Sequence, residues 1–327
     1  MRSPRVLSRA LRVEVYDGSR KATWDGFVRE SKNGTFLFYR DYMDYHRDRF
    51  QDHSLLVWDG DRLAALLPAN REGEVLVSHG GLTYGGFVVG PEMGAARMLE
   101  VADEVFVFLR ERGIRKLVYK AIPSLYHRIP AEEDRYALFR VGARLWRRDV
   151  TTAVIPRLRV PFQERRRRGA RKALRAGVEV EPSEDLGSFW PILEWNLSEL
   201  HGKRPAHTLE EMERLHASFP DHIKLYMAYA HGEPVAGVLV YETPTVAHAQ
   251  YIASSMLGRS LGALDLLFTY LLEEVYREKP YFDFGISTEA EGKVLNTGLV
   301  EFKEGFGGGT VTHDFYMLDL DHLEVSR

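Results

Sequence analysis

The segment Phe302-Lys-Glu-Gly-Phe-Gly-Gly308 sets Lys303 beside the apolar positions Leu299, Phe302 and Phe306 of a short predicted helix. Such a lysine is either a surface side chain or a fixed cation that stabilises an oxyanion or a phosphate. Gly305 and Gly307 permit close backbone approach. Asp283 alternates with Tyr281 and Gly285 on one face of a strand, while Phe282, Phe284 and Ile286 take the other. A carboxylate in such a strand is either paired, for example with an arginine, or part of a site. Arg259-x-x-Gly262 precedes a helix. That turn either caps the helix or offers a guanidinium and free backbone N–H groups to an anion. Ser78–Gly90 packs five glycines around His79, Thr83 and Tyr84, as a long surface turn or a binding loop, and 202–208 carries Arg204 and His207.

Nine of the nineteen residues from 157 to 175 are Lys or Arg. Read as a helix over 163–176, the stretch lines up Arg167, Arg171 and Arg175, with Arg168 and Lys172 beside them. Ala170, Ala173 and Leu174 then gather on the inward side, and Gly177 stops the helix. The helix is either a solvated linker or a phosphate-binding face.

The rest of the chain narrows the chemistry. There are 327 residues, 45% of them hydrophobic, with a net charge of -3. That length suggests about two domains, and the charge argues against a general nucleic-acid coat. The absence of cysteine excludes disulfides, thiolate-bound zinc and a cysteine nucleophile, and fits a reducing, cytoplasmic setting. No apolar run reaches the roughly 20 residues that span a bilayer. The twelve histidines show no metal-ligand spacing, so no metal is expected. H-E-x-x-H, Walker and G-x-S-x-G patterns are missing.

Element signals repeat once along the chain. In the first half, helical stretches precede a hairpin over 54–69 that turns at Asp59-Gly60, a third strand at 74–78, a helix over 93–113 and a strand at 115–122. In the second half, a capping box at Thr208 and Glu211 opens a helix. A hairpin over 223–242, a third strand at 246–254, a helix over 263–279 and a strand at 281–286 follow. The expected fold is α/β (α+β): two domains in tandem, each a mixed, mostly antiparallel sheet flanked by helices. Their bounds are 1–156, a basic connecting helix at 157–177, and 178–327.

This element order is that of the GNAT acyltransferase fold. The basic helix-strand joint, Phe282–Ser287 and Phe302–Gly308 together resemble the Fem family of aminoacyltransferases and the BioF2-like acetyltransferases, over residues 12 to 320. The resemblance implies acyl transfer to an amine of a cell-envelope or polysaccharide precursor, small or lipid-linked. The donor is acyl-CoA, with aminoacyl-tRNA as the alternative; a non-catalytic nucleic-acid-binding module is the rival of another class. It implies a catalytic group of Lys303, Asp283, Gln250 and Tyr251. Arg259, Gly262, Ala263, Phe302 and Gly305 would hold the donor, since Arg259-x-x-Gly262 matches the start of the coenzyme A loop. His79, Thr83, Tyr84, Arg204 and His207 would hold the acceptor. The first domain would serve the acceptor and the second the donor.

Overall fold

The computed structural model describes residues 10–323, apart from the side chains of residues 200 and 201. From Leu11 the order is β1 (Leu11–Val15), α1 (Lys21–Glu30), α2 (Arg40–Met43), β2 (Leu55–Asp59), β3 (Arg62–Leu67), β4 (Asn70–Glu72), β5 (Val75–Val77) and β6 (Val88–Val89). Next come α3 (Ala95–Glu111), β7 (Lys116–Lys120), α4 (Glu133–Arg140), β8 (Arg144–Val154), α5 (Glu164–Arg175), β9 (Val178–Ser183), α6 (Leu186–His201) and α7 (Leu209–Ser218). The hairpin β10 (Ile223–Ala230) and β11 (Glu233–Glu242) leads to β12 (Val246–Ser254), α8 (Met256–Leu261), α9 (Ala263–Tyr270) and β13 (Tyr281–Ile286). The chain continues through β14 (Thr288–Glu289), β15 (Val294–Leu295), α10 (Thr297–Glu304) and β16 (Gly309–Asp319).

Two compact units result. The first comprises the residues up to Arg148 together with those from His313 onward; the second is Asp149–Thr312. The division falls ahead of the expected boundary at 156. It also counts the basic helix with the second unit rather than as a separate connector.

In the first unit, β1, β2, β3 and β6 form an antiparallel sheet. The strand expected to extend the β2–β3 hairpin, Val75–Val77, does not. Gly73, at φ 63°, turns the chain so that β5 pairs with β4 and then runs parallel to β7. Val88–Val89 takes the place beside β3. Phe315–Asp319 of β16 closes the other side of β7. The core joins Leu55, Val57, Leu76, Phe87, Leu117 and Leu318 to Val101, Val105 and Leu109 of α3, the i, i+4, i+8 face of that helix.

In the second unit, β9, β10, β11 and β12 are antiparallel, β13 joins β12 in parallel, and β8 pairs with β13 antiparallel. This is the mixed, mostly antiparallel sheet that the alternation predicted. The capping box of α7 is present with both bonds, Glu211 N–H to Thr208 and Thr208 N–H to Glu211. The helix expected over 263–279 is α-helical only to Tyr270, and then widens into a π turn at Leu271–Val275. Leu267, Phe268, Leu271 and Leu272 pack with Ala247, Ala249, Phe282 and Phe284 on one face of the sheet.

Candidate functional site

The parallel ladder between β12 and β13 is short. It pairs Val246, Ala247 and His248 with Tyr281, Phe282 and Asp283 and then ends, although both strands continue. At the end of β12, a cleft of about 450 Å³ is lined among others by Arg166, Asn196, Ser254, Arg259, Gly262 and Phe302. Of the expected donor residues, Arg259, Gly262 and Phe302 line this cleft. Ala263 and Gly305 do not. Ala263 is wholly buried in a core cluster with Ala170 and Ala173, and a Cβ on Gly305 would stand 3.1 Å from Cγ of Arg166. Both are packing positions.

The turn into α9 is fixed by its residues. Ser255 caps α8 by accepting the Gly258 N–H at 3.1 Å. Gly262, at φ 81°, ends α8 and starts α9. A side chain there would meet the carbonyl of Gly169 on α5 at 2.7 Å, so Gly262 serves both the left-handed turn and the contact of the two helices. At the start of α9 the Asp265 N–H is taken by the Gly262 carbonyl at 3.1 Å, and Gly262, Leu264 and Asp265 line the cleft. Arg259 is exposed and holds no ion pair among the described residues, its Nε lying 3.5 Å from the Ser254 carbonyl. Arg166 pairs with Asp265 at 2.5 Å and stacks over Phe302, 4.8 Å from the ring centre. Burial pushes the Asp265 carboxyl up, against the pull of Arg166.

The basic stretch is an ordered helix, α5. Ala170 and Ala173 face inward as expected. Leu174 does not: it is 60% exposed, because the 100° step from Ala173 carries it past the buried face. Arg165 reaches Glu301, and Arg167 and Arg171 both reach Glu164. Arg168, Lys172 and Arg175 hold no ion pair among the described residues. At i, i+4 and i+7 they form one stripe, and Lys172 donates to the Ser260 carbonyl beside Arg259.

Lys303 is neither a surface lysine nor a group lining the cleft. It is 2% exposed, and its ammonium donates to the carbonyls of Gly285 (2.7 Å) and Ile286 (2.9 Å) and to Oγ of Ser287 (2.9 Å). Those bonds use all three of its protons. Burial pulls its pKa down to about 8, and the charge of Asp283 partly opposes that. Asp283 is fully buried. Its partners include Oγ1 of Thr151, the Gly285 N–H at 3.0 Å and Nδ1 of His248 at 2.9 Å. A histidine is thus among the groups that pair this carboxylate.

Gln250 occupies an irregularity in the β11–β12 ladder, where register passes from Ala249 to Tyr251. The Tyr251 hydroxyl lies 2.7 Å from Nδ1 of His207 and accepts the His207 N–H at 3.3 Å, so these two candidates meet. Burial pushes Tyr251 up to about 12. Arg204 is exposed nearby in sequence. His79, Thr83 and Tyr84 lie in the first unit, in a packed segment rather than a surface turn. His79 is 3% exposed, stacks on His46 at 5.3 Å, and accepts the Gly81 N–H at 3.2 Å. Burial pulls it down to about 3. The Tyr84 hydroxyl donates to Thr35 at 3.1 Å, and Thr83 is half-buried. Lys120, buried, donates to the carbonyls of His79 and Leu82. His248, Thr151, Ser287, Arg166 and Lys120 were not singled out from sequence. Among the described residues no cluster could hold a metal, and no helix is long and apolar enough to cross a membrane.

Residues 162–303 match the family model described as "Acetyltransferase (GNAT) domain". The fold of the whole chain has solved counterparts. It superposes on the crystal structure of FemX with a TM-score of 0.64 at 13% identity, covering 93% of this chain and 96% of that one. L-PGS from Bacillus licheniformis gives 0.60 at 14%, covering 92% and 90%. The C-terminal domain of an Agrobacterium fabrum protein named "Putative Lysylphosphatidylglycerol Synthetase" gives 0.60 at 13%, covering 92% of both chains. No curated protein matches the sequence.

Proposed function

We propose that this protein is an N-acyltransferase that moves an acyl group from acyl-CoA to an amine of a cell-envelope or polysaccharide precursor. The carrying observation is the cleft at the end of β12, where Arg259 without an ion pair and the start of α9 offer positive charge to a donor's phosphates. Of the acceptor candidates we favour Arg204 and His207 of the second unit, since His79 and Tyr84 are held within the packing of the first. We place the reaction in the cytoplasm, where both candidate donors are made.

Calorimetry with CoA and acetyl-CoA tests the reading. Binding is expected, and Arg259→Ala should weaken it about tenfold, or about 1.4 kcal/mol. Absence of binding to the wild-type protein would end the acyl-CoA assignment.

A second reading has its own support. The stripe of Arg168, Lys172 and Arg175 suits a longer polyanion such as a charged tRNA, and a neighbour named as a lysylphosphatidylglycerol synthetase fits a lipid-linked acceptor. RNA binding would then fall with salt at a log–log slope of roughly 0.7 to 0.9 per phosphate neutralised. Replacing the three cations with alanine should flatten that slope. No RNA retained at physiological salt excludes this reading.

A further inference from the structure

Among the described residues the exposed aromatic side chains are Tyr136, Phe139 and Trp146, all at the corner where α4 turns into β8. Phe139 is 75% exposed, and Leu145, next to Trp146, is exposed as well. The corner is also basic: Phe139–Arg148 contains four arginines and no carboxylate. Arg140 and Arg144 are exposed and hold no ion pair among the described residues, although the charge of Arg140 reaches Asp103 on α3. Arg147 lies over the ring of Phe315 at 4.6 Å, and Arg148 is bound to Asp314. Local chemistry fixes this shape. Ala137 and Leu138 of α4 are buried, which turns Tyr136, Phe139 and Arg140 outward at i, i+3 and i+4. Gly142, at φ 72°, stops the helix, and the Ala143 N–H returns to the Leu138 carbonyl at 2.9 Å. Val141 and Ala143 pack against the core, so the corner is held from beneath. Beyond it Leu145 and Trp146 point to opposite faces of β8. Both are exposed, so the start of the strand stands clear on either side.

We propose that this corner seats the protein on an anionic lipid surface. Grouped exposed apolar side chains mark a binding surface rather than ordinary surface scatter. The arginines meet negatively charged headgroups, while the aromatic and apolar tip enters the interface between them. Two features favour lipid over other occupants. A strand start that is apolar on both faces is satisfied by a medium that surrounds it, whereas a second protein surface covers only one. RNA would reward stacking rings, and Leu145 offers it neither a ring nor a hydrogen bond. The seat is peripheral, since no described helix is long and apolar enough to cross a membrane. The inference stands apart from the choice of acyl donor.

The test is sedimentation of the whole protein with vesicles of phosphatidylcholine, alone or with about one third phosphatidylglycerol. Binding to the anionic vesicles is expected, and it should weaken as salt rises. Phe139→Ser combined with Trp146→Ser should lower the partition coefficient by about tenfold or more. Tm should stay unchanged, because both side chains are exposed. Arg140→Gln with Arg144→Gln should weaken binding and flatten its salt dependence. Lipid carrying bromine on its chains should quench tryptophan fluorescence, and Trp146→Phe should remove most of that quenching. Leu158→Ser, at an exposed apolar position of the second unit, should bind as wild type does. The proposal is overturned if the wild type ignores anionic vesicles, or if the Phe139, Trp146 double variant still binds them fully. Binding lost instead on replacing Arg168, Lys172 and Arg175 with alanine, while the corner variants keep it, also overturns it. So does a double variant that loses RNA retention or self-association yet keeps its hold on the vesicles, since the corner then serves that partner.

Discussion

Lys303 donates to the carbonyl of Gly285 at 2.7 Å, and the N–H of that same glycine holds Asp283 at 3.0 Å. The lysine of one motif and the aspartate of another are thereby joined through a single residue. Gly285, at φ 76°, can turn both its polar groups to these tasks because it lies in the left-handed region. The chain of contacts runs from α10 through the end of β13 to His248.

Lys303→Ala should therefore act on the fold of the site before it acts on the donor. It leaves the Gly285 and Ile286 carbonyls without their partner, at a cost of about 1–3 kcal/mol. We expect a lower Tm and a large loss of turnover, while calorimetry finds the acetyl-CoA Kd within about twofold of wild type. Lost donor affinity at an unchanged Tm would contradict this.

The same lysine gives stability a pH dependence. Its folded pKa, about 8, lies below its ordinary 10.5. Between those values the unfolded chain keeps a proton that the folded one has released, so stability rises with pH across the window. Below pH 8 both states are protonated and the effect is absent. Denaturant titrations from pH 7.5 to 10.5 should show the rise, and Lys303→Met should lack it.

Histidines of the first unit act in acid. Burial brings His79 to about 3 and His127 to about 4. As pH falls below 6.5 the unfolded chain takes up protons that these rings refuse, so stability falls toward the folded values. Asp134, pushed up by burial to about 6, slopes the other way between pH 6 and 3.8, so the comparison must be with a variant. His79→Phe should lose less stability than wild type between pH 6.5 and 4, read as the shift of Tm.

Gly262→Ala tests the seat of α5. The substitution brings a Cβ within 2.7 Å of the Gly169 carbonyl and strains a backbone at φ 81°. A loss of about 1–3 kcal/mol is expected, with weaker acetyl-CoA binding as the α8–α9 turn shifts. An unchanged Tm would mean that the two helices are not closely seated.

Much of the second unit was legible from local signals. The hairpin, the capping box and the basic helix each follow from residues within a turn or two of one another. Lys303, Asp283 and Arg259 stood out because their neighbours made them odd. His248 did not, since nothing adjacent to it is unusual. It becomes a partner of Asp283 only through the register of two parallel strands separated by the whole α8–α9 crossover, and register of that kind depends on packing against α9. Arg166 was lost among its basic neighbours for a similar reason: Asp265 singles it out, and Asp265 is distant in sequence. Leu174 was misplaced because composition drew it inward while helical geometry did not.

The first unit is built from two separated parts of the chain, since Phe315–Asp319 supplies the strand that closes β7. That has a consequence for synthesis. A ribosome releases every residue of Asp149–Thr312 before it releases the strand on which the earlier unit depends. The later unit is thus free to fold first, while β7 waits with one edge uncovered. Chains truncated after residue 312 and released should hold a protease-resistant second unit beside a first unit still open to cleavage.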